Sequence, residues 1–158
     1  YGGDTMFANQ YLAYDALSPA MKKMLEGLRG VHSDITEAGP LSGKNKGRST
    51  KHRDDDAWQE TRNTHPIVRT NRETGRRCLF VNAANTIAID GMTDAESKAL
   101  LGFLLEHGSR PEFTFRFRWQ KGSIAFWDNR STRHIALGDT GPFRRLMRRI
   151  QISGDTPV

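Results

Sequence analysis

The stretch Phe113-Thr114-Phe115-Arg116-Phe117-Arg118-Trp119 decides the fold class. Aromatic and polar side chains alternate strictly along it, which is the period of a half-buried β-strand and not the 3.6-residue period of a helix. Downstream, Lys121-Gly122 reads as a turn, Ser123 to Asp128 as a short strand and Phe143 to Ile152 as a last one. Upstream, Thr93 and Glu96 form a capping box ahead of Leu100, Leu101, Phe103, Leu104 and Leu105, predicting a helix that stops at Gly108. A second helix is predicted from Ser18-Pro19 through Met21, Met24, Leu25 and Leu28, ending at Gly30. Residues 33 to 63 show no sustained period, so they are expected to form a long mobile loop, a candidate lid. The reading is a single domain over residues 1–158, mainly β with flanking helices.

Size and composition narrow the function classes. The chain has 158 residues, 36% hydrophobic and 27% charged, within the range of one globular domain. Its longest apolar run, Ala99 to Leu105, is far short of the roughly 20 residues that span a bilayer, and no basic-then-apolar leader opens it, so no membrane partner is expected. The single cysteine, Cys78, cannot form an internal disulfide, which points to a reducing cytoplasm or a fold indifferent to cysteine. The first residue is Tyr1, so either the chain was processed or it begins inside a longer protein.

The net charge of +6 is concentrated between Arg110 and Arg149, where ten basic residues face three acidic ones. Clustered arginines suit nucleic acid, an anionic small molecule or a solvated strand face. The run Lys44 to Arg53, followed at once by Asp54-Asp55-Asp56, reads as a solvated loop. If residues 143–152 form a strand, Arg145 and Arg149 share a face about 13 Å apart, enough to hold the anionic ends of two molecules or of one long one. Of the five histidines, His52, His65 and His107 are read as structural. His134 differs, because it is expected in a sharp polar connection just after Phe126-Trp127-Asp128-Asn129, where a rigid sheet can present it to a cavity. No nucleophile elbow, CxxC pair or phosphate loop is present.

At Trp127-Asp128-Asn129-Arg130, His134, Arg145, Arg149 and Gly154-Asp155 the chain resembles the taurine dioxygenase/TfdA family of iron(II)- and 2-oxoglutarate-dependent oxygenases. The resemblance extends to Tyr1-Gly2-Gly3-Asp4-Thr5, to Leu28 through His32, to His65-Pro66-Ile67-Val68-Arg69-Thr70, to Glu73-Thr74-Gly75-Arg76 and to Phe80-Val81-Asn82. Asp94 to Ser97 and Trp119 fit as well. It implies a double-stranded β-helix, the cupin-like jelly roll, with the family's N-terminal part outside this chain. It also implies cofactors and cosubstrates: Fe(II), 2-oxoglutarate and O2. His134 would be the distal histidine of a 2-His-1-carboxylate metal site. Arg145 and Thr5 would bind the distal carboxylate of 2-oxoglutarate, and Arg149 would grip the substrate anion.

Two departures accompany the resemblance. The family's proximal His-x-Asp pair lies before the GGDT segment, and this chain begins at Tyr1. His32-Ser33-Asp34 spells the same pattern, but it falls at the predicted helix end, where the family has an unrelated histidine. Asn85 stands where many members have a phenylalanine lining the substrate pocket, and Arg148 where histidine is common, so the substrate need not be taurine. The expected activity is hydroxylation of a small anionic organic substrate, a sulfonate, alkyl sulfate or aryloxyalkanoate, with release of succinate and CO2. The alternative is a non-catalytic relative that binds an anionic ligand or nucleic acid through its arginine-rich strand. The family implies a cytoplasmic homo-oligomer, dimer or tetramer, with no nucleic-acid partner.

Overall fold

Gly2 and Gly3 adopt left-handed backbone (φ +108° and +71°) and lead into strand β1, Thr5–Asn9. The computed structural model describes residues 2–36, 59–140, 146–152 and 154. Asn9 ends β1 and caps the next helix, its side chain accepting from the Tyr11 and Leu12 amides, so α1 runs Gln10–Asp15. Ser18 accepts from the Met21 amide, with Pro19 at the first helical position, and α2 runs Pro19–Leu25. Strands β2 (Arg29–Ser33), β3 (Arg62–Pro66), β4 (Val68–Thr70), β5 (Arg77–Leu79) and β6 (Thr86–Ile89) follow. Helix α3 (Asp94–His107) carries the predicted Thr93–Glu96 capping box and ends at Gly108. A short 3-10 turn, Pro111–Phe113, leads into β7 (Thr114–Phe117), and β8 is Thr132–Ala136.

The strands form two three-stranded antiparallel sheets, ordered β7-β1-β8 and β3-β2-β6, and a two-stranded hairpin of β4 and β5. The core is a cluster of Ala13, Tyr14, Leu17, Leu25, Ile67, Leu79, Val81, Ile89, Leu101 and Leu104. In α3 the buried residues are Ser97, Leu101, Leu104 and His107, one helical stripe, whereas Phe103 faces solvent. No described helix is long and apolar enough to cross a membrane.

Four local expectations are corrected. Helix α2 stops at Leu25 rather than at Gly30, because Gly27 takes a left-handed φ of +78° and Gly30 lies inside β2. Residues 123–128 form no strand, nor do the described residues 146–152. Neither segment has a ladder partner among the described residues, and an extended segment becomes a strand only when its backbone groups are paired. Phe143, Arg144 and Arg145 lie outside the described residues. His134 is not in a connection but in the middle of β8, opposite Phe7. The two ends of the loop expected over residues 33–63 are strand instead, since Ser33 pairs with Arg62 and His32 with Asn63 in the β2–β3 ladder. Residues 37–58, including most of the expected lid and His52, lie outside the described residues.

Candidate active site

The first sheet sets one face by its registers. Thr5 pairs with Phe117 and Ala136, and Phe7 with Phe115 and His134. Directly opposed residues in an antiparallel ladder point the same way, so Thr5, Phe7, Phe115, Phe117, His134 and Ala136 share that face. Thr5 and His134 are diagonal neighbours across the ladder.

The glycine pair ahead of Thr5 has a physical reason. A Cβ on Gly2 would lie 2.1 Å from the Asp139 carbonyl oxygen, and the Gly3 amide donates to Asp139 Oδ1 at 2.7 Å. Asp4 is buried and accepts from Arg116 Nε at 2.7 Å, while Arg116 also pairs with Asp139 at 3.0 Å. The Leu137 amide donates to the Asp4 carbonyl. Two left-handed glycines followed by a paired aspartate thus clamp the start of β1 to the end of β8. Thr5 itself is 5% exposed, and its Oγ1 accepts from Trp119 Nε1 at 2.9 Å.

The Trp127-Asp128-Asn129-Arg130 segment builds the entry to β8. Asp128 accepts from the Arg130 amide and guanidinium at 2.8–2.9 Å, which closes the turn, and Arg130 reaches on to Glu73 in the β4–β5 loop. Asn129 Oδ1 accepts from Trp127 Nε1 at 2.8 Å and holds the indole in place. Its ring then meets His134 edge-on at 5.0 Å between centroids, and Phe7 at 5.0 Å. The His134 imidazole is therefore oriented by aromatic contacts, and its nitrogens make no hydrogen bond among the described residues. Desolvation, followed by the positive charge of Arg149, lowers its pKa from the usual 6.5. A neutral imidazole with uncommitted nitrogens is the form that binds a transition metal.

Of the residues singled out from the sequence, Thr5 and His134 lie on one face and Arg149 is close enough for its charge to act on His134. Arg145 lies outside the described residues. Asn85 is elsewhere: it precedes β6, its amide donates to the Ser33 carbonyl at 3.4 Å, and it lines a cavity of about 310 Å³. That cavity is also bounded by His32, Asn63, His65, Phe80 and Thr132, the last of which lies on β8 two residues from His134. The His32 ring packs against both His65 and Phe80, burial lowers its pKa to about 4, and Asp34 accepts from the Thr61 amide. Sequence reasoning missed the role of Trp119 beside Thr5 and the pairing of His32 with His65, since both depend on contacts across strands.

The chain is thus a mainly β fold of antiparallel sheets, with His134 and Thr5 on one face of the first. The model of the Taurine catabolism dioxygenase TauD, TfdA family matches residues 1–151, and the chain belongs to that family. It is 34% identical over 99% of its length to an alpha-ketoglutarate-dependent sulfate ester dioxygenase of Pseudomonas putida, of which it covers 52%. It is 35% identical over 99% of its length to an alpha-ketoglutarate-dependent 2,4-dichlorophenoxyacetate dioxygenase of Cupriavidus pinatubonensis, again covering 52% of the relative. A solved taurine dioxygenase from Burkholderia xenovorans is 44% identical with a TM-score of 0.69, the match covering 88% of this chain and 42% of that one. The solved structure of AAD-2 in complex with Mn(II) and N-oxalylglycine superposes over 99% of this chain and 59% of its own, at 30% identity and a TM-score of 0.78. The chain spans about a third to a half of the length of the curated relatives it matches.

Proposed function

We propose that the protein containing this chain is an Fe(II)- and 2-oxoglutarate-dependent dioxygenase that hydroxylates a small anionic organic substrate. The observation that carries the reading is the shared face of β1 and β8, where Thr5 offers a buried hydroxyl and His134 an uncommitted imidazole. The names of the relatives, which span sulfate esters, taurine and an aryloxyacetate, support an anionic substrate class.

His134 suits one position of a metal site. The described residues include no group of three His, Cys, Asp or Glu side chains that could hold a metal ion, and on this reading the other ligands of the site would be supplied from outside them. Bound iron would supply oxygen activation coupled to decarboxylation of the 2-oxo acid. This chain's residues would bind and orient. Thr5 and Arg145 would hold the distal carboxylate, Arg149 would attract the substrate anion, and Phe7, Phe117 and Trp127 would keep water from the face. Asn85 would line the substrate end, and the reading includes a cytoplasmic location, in keeping with one free buried thiol at Cys78.

The test is 2-oxoglutarate turnover by the intact protein with Fe(II) against a panel of taurine, an alkyl sulfate and an aryloxyacetate. Succinate formation stimulated by one of these is expected; none with any of them would sink the reading. Arg149→Ala should raise KM for the anionic substrate about tenfold or more while shifting that for 2-oxoglutarate little. Arg145→Ala should do the reverse, and equal losses in both would refute the division of roles.

The non-catalytic, nucleic-acid-binding reading is less well supported. Arg110, Arg116 and Arg130 from the basic segment are already paired with Glu112, with Asp4 and Asp139, and with Asp128 and Glu73. Paired guanidiniums contribute little to a phosphate-binding stripe.

A further inference from the structure

A hydroxyl carries one proton and two acceptor lone pairs, whereas an indole N–H can only donate. The 2.9 Å contact between Trp119 Nε1 and Thr5 Oγ1 therefore has a single polarity: Trp119 gives and Thr5 receives. The Thr5 proton must then point elsewhere, and it has no acceptor among the described residues although Thr5 is 5% exposed. A buried donor left unpaired costs free energy that an incoming acceptor recovers. The indole is placed beside the hydroxyl by packing: it meets Phe117 edge-on at 4.7 Å, and Phe117 is the ladder partner of Thr5.

We propose that Trp119 is a positioning residue for the cosubstrate: by donating to Thr5 Oγ1 it commits the Thr5 proton to a carboxylate oxygen of the bound 2-oxo acid. Without the indole, the Thr5 hydroxyl can rotate to donate or accept, and part of its hydrogen bond to the carboxylate is lost to the alternative orientation. Trp119 touches no ligand itself and acts wholly through Thr5. This inference rests on the dioxygenase reading, and it adds a residue to the carboxylate end of that site.

A double-mutant cycle on the intact protein tests it, with N-oxalylglycine as the probe and Mn(II) in place of iron, so that binding is measured by calorimetry without turnover. Thr5→Val is expected to weaken the probe about tenfold, the range for a hydrogen bond to a charged group. Trp119→Phe is expected to weaken it about threefold to tenfold, and the double variant should bind no worse than Thr5→Val alone. Unchanged binding by Trp119→Phe, or losses that multiply in the double variant, would overturn the proposal. If the unsubstituted protein bound no N-oxalylglycine, the dioxygenase reading would fail first and this inference with it. A second readout does not depend on the folding of the Trp119 variant. The Trp119 indole N–H resonance should move upfield in Thr5→Val and respond to N-oxalylglycine in the unsubstituted protein; an indole signal indifferent to both would count against the link.

Discussion

His32 shows how a side chain acquires a property that its local sequence does not announce. Its Nε2 is buried without a partner, His65 stands 5.1 Å away between ring centroids, and burial lowers its pKa from 6.5 to about 4. The folded chain thus binds this proton more weakly than the unfolded chain. The fold carries no penalty above pH 6.5, and stability falls as the pH drops from 6.5 towards about 4. The largest loss from His32 is about 3 kcal/mol, at 1.36 kcal/mol for each pKa unit. The pKa of His65 is lowered in the same direction by its own burial. Replacing His32 with phenylalanine keeps the stack on Phe80 and removes the titration, so denaturant melts of His32→Phe should lose less stability across that pH window than the unsubstituted protein. Equal pH dependence in both would show that the His32 environment is not what sets it. At Gly2 the prediction is steric. Alanine there must tolerate a φ of +108° and a Cβ 2.1 Å from a carbonyl oxygen, so Gly2→Ala should cost at least about 1–3 kcal/mol in equilibrium unfolding.

Elements with self-contained signals were legible. The Thr93–Glu96 capping box was readable because its residues lie within one turn, and the structure has both of its hydrogen bonds. Thr93→Ala should cost about 1 kcal/mol and lower Tm by about 2–4 °C, read by a thermal melt; an unchanged Tm would mean that the cap is redundant. The start of α2 was readable for the same reason, but its end was not, since Gly27 and Gly30 are both plausible stops and only β2 pairing recruits Gly30 into a strand. Strand β8, Thr132–Ala136, has no clean alternation and owes its existence to the β1 edge beside it. Residues 123–128 and 146–152 show the reverse case, a strand-like pattern without a partner among the described residues.

The described residues leave a considerable apolar surface uncovered. Phe115 on the face shared with Thr5 is 63% exposed, Ile135 on the opposite face likewise, and Ile150 is 93% exposed. Exposed patches of this kind drive association. The 158-residue chain by itself should bind a hydrophobic dye and sediment above 17.8 kDa; a dye-silent monomer would contradict this. The charge is also settled at this scale. A segment that reads as a basic cluster in one dimension is partly neutralised in three by carboxylates from Asp4 just before β1, the β4–β5 loop and the β8 exit.

The sequence by itself determined the strand-rich class, the capped helix α3 and the family motifs, which single out His134 and Thr5 as candidates, because each rests on residues near in the chain or on a recognisable order of motifs. Tertiary structure decided that Thr5 and His134 share a face and that Asn85 lines a cavity reaching Thr132 on β8. It also placed the Trp119 indole on the Thr5 hydroxyl, 114 positions away. Register is the physical reason. A cross-strand contact depends on which residues pair, and a shift of one position would send the Thr5 and His134 side chains to opposite faces of the sheet.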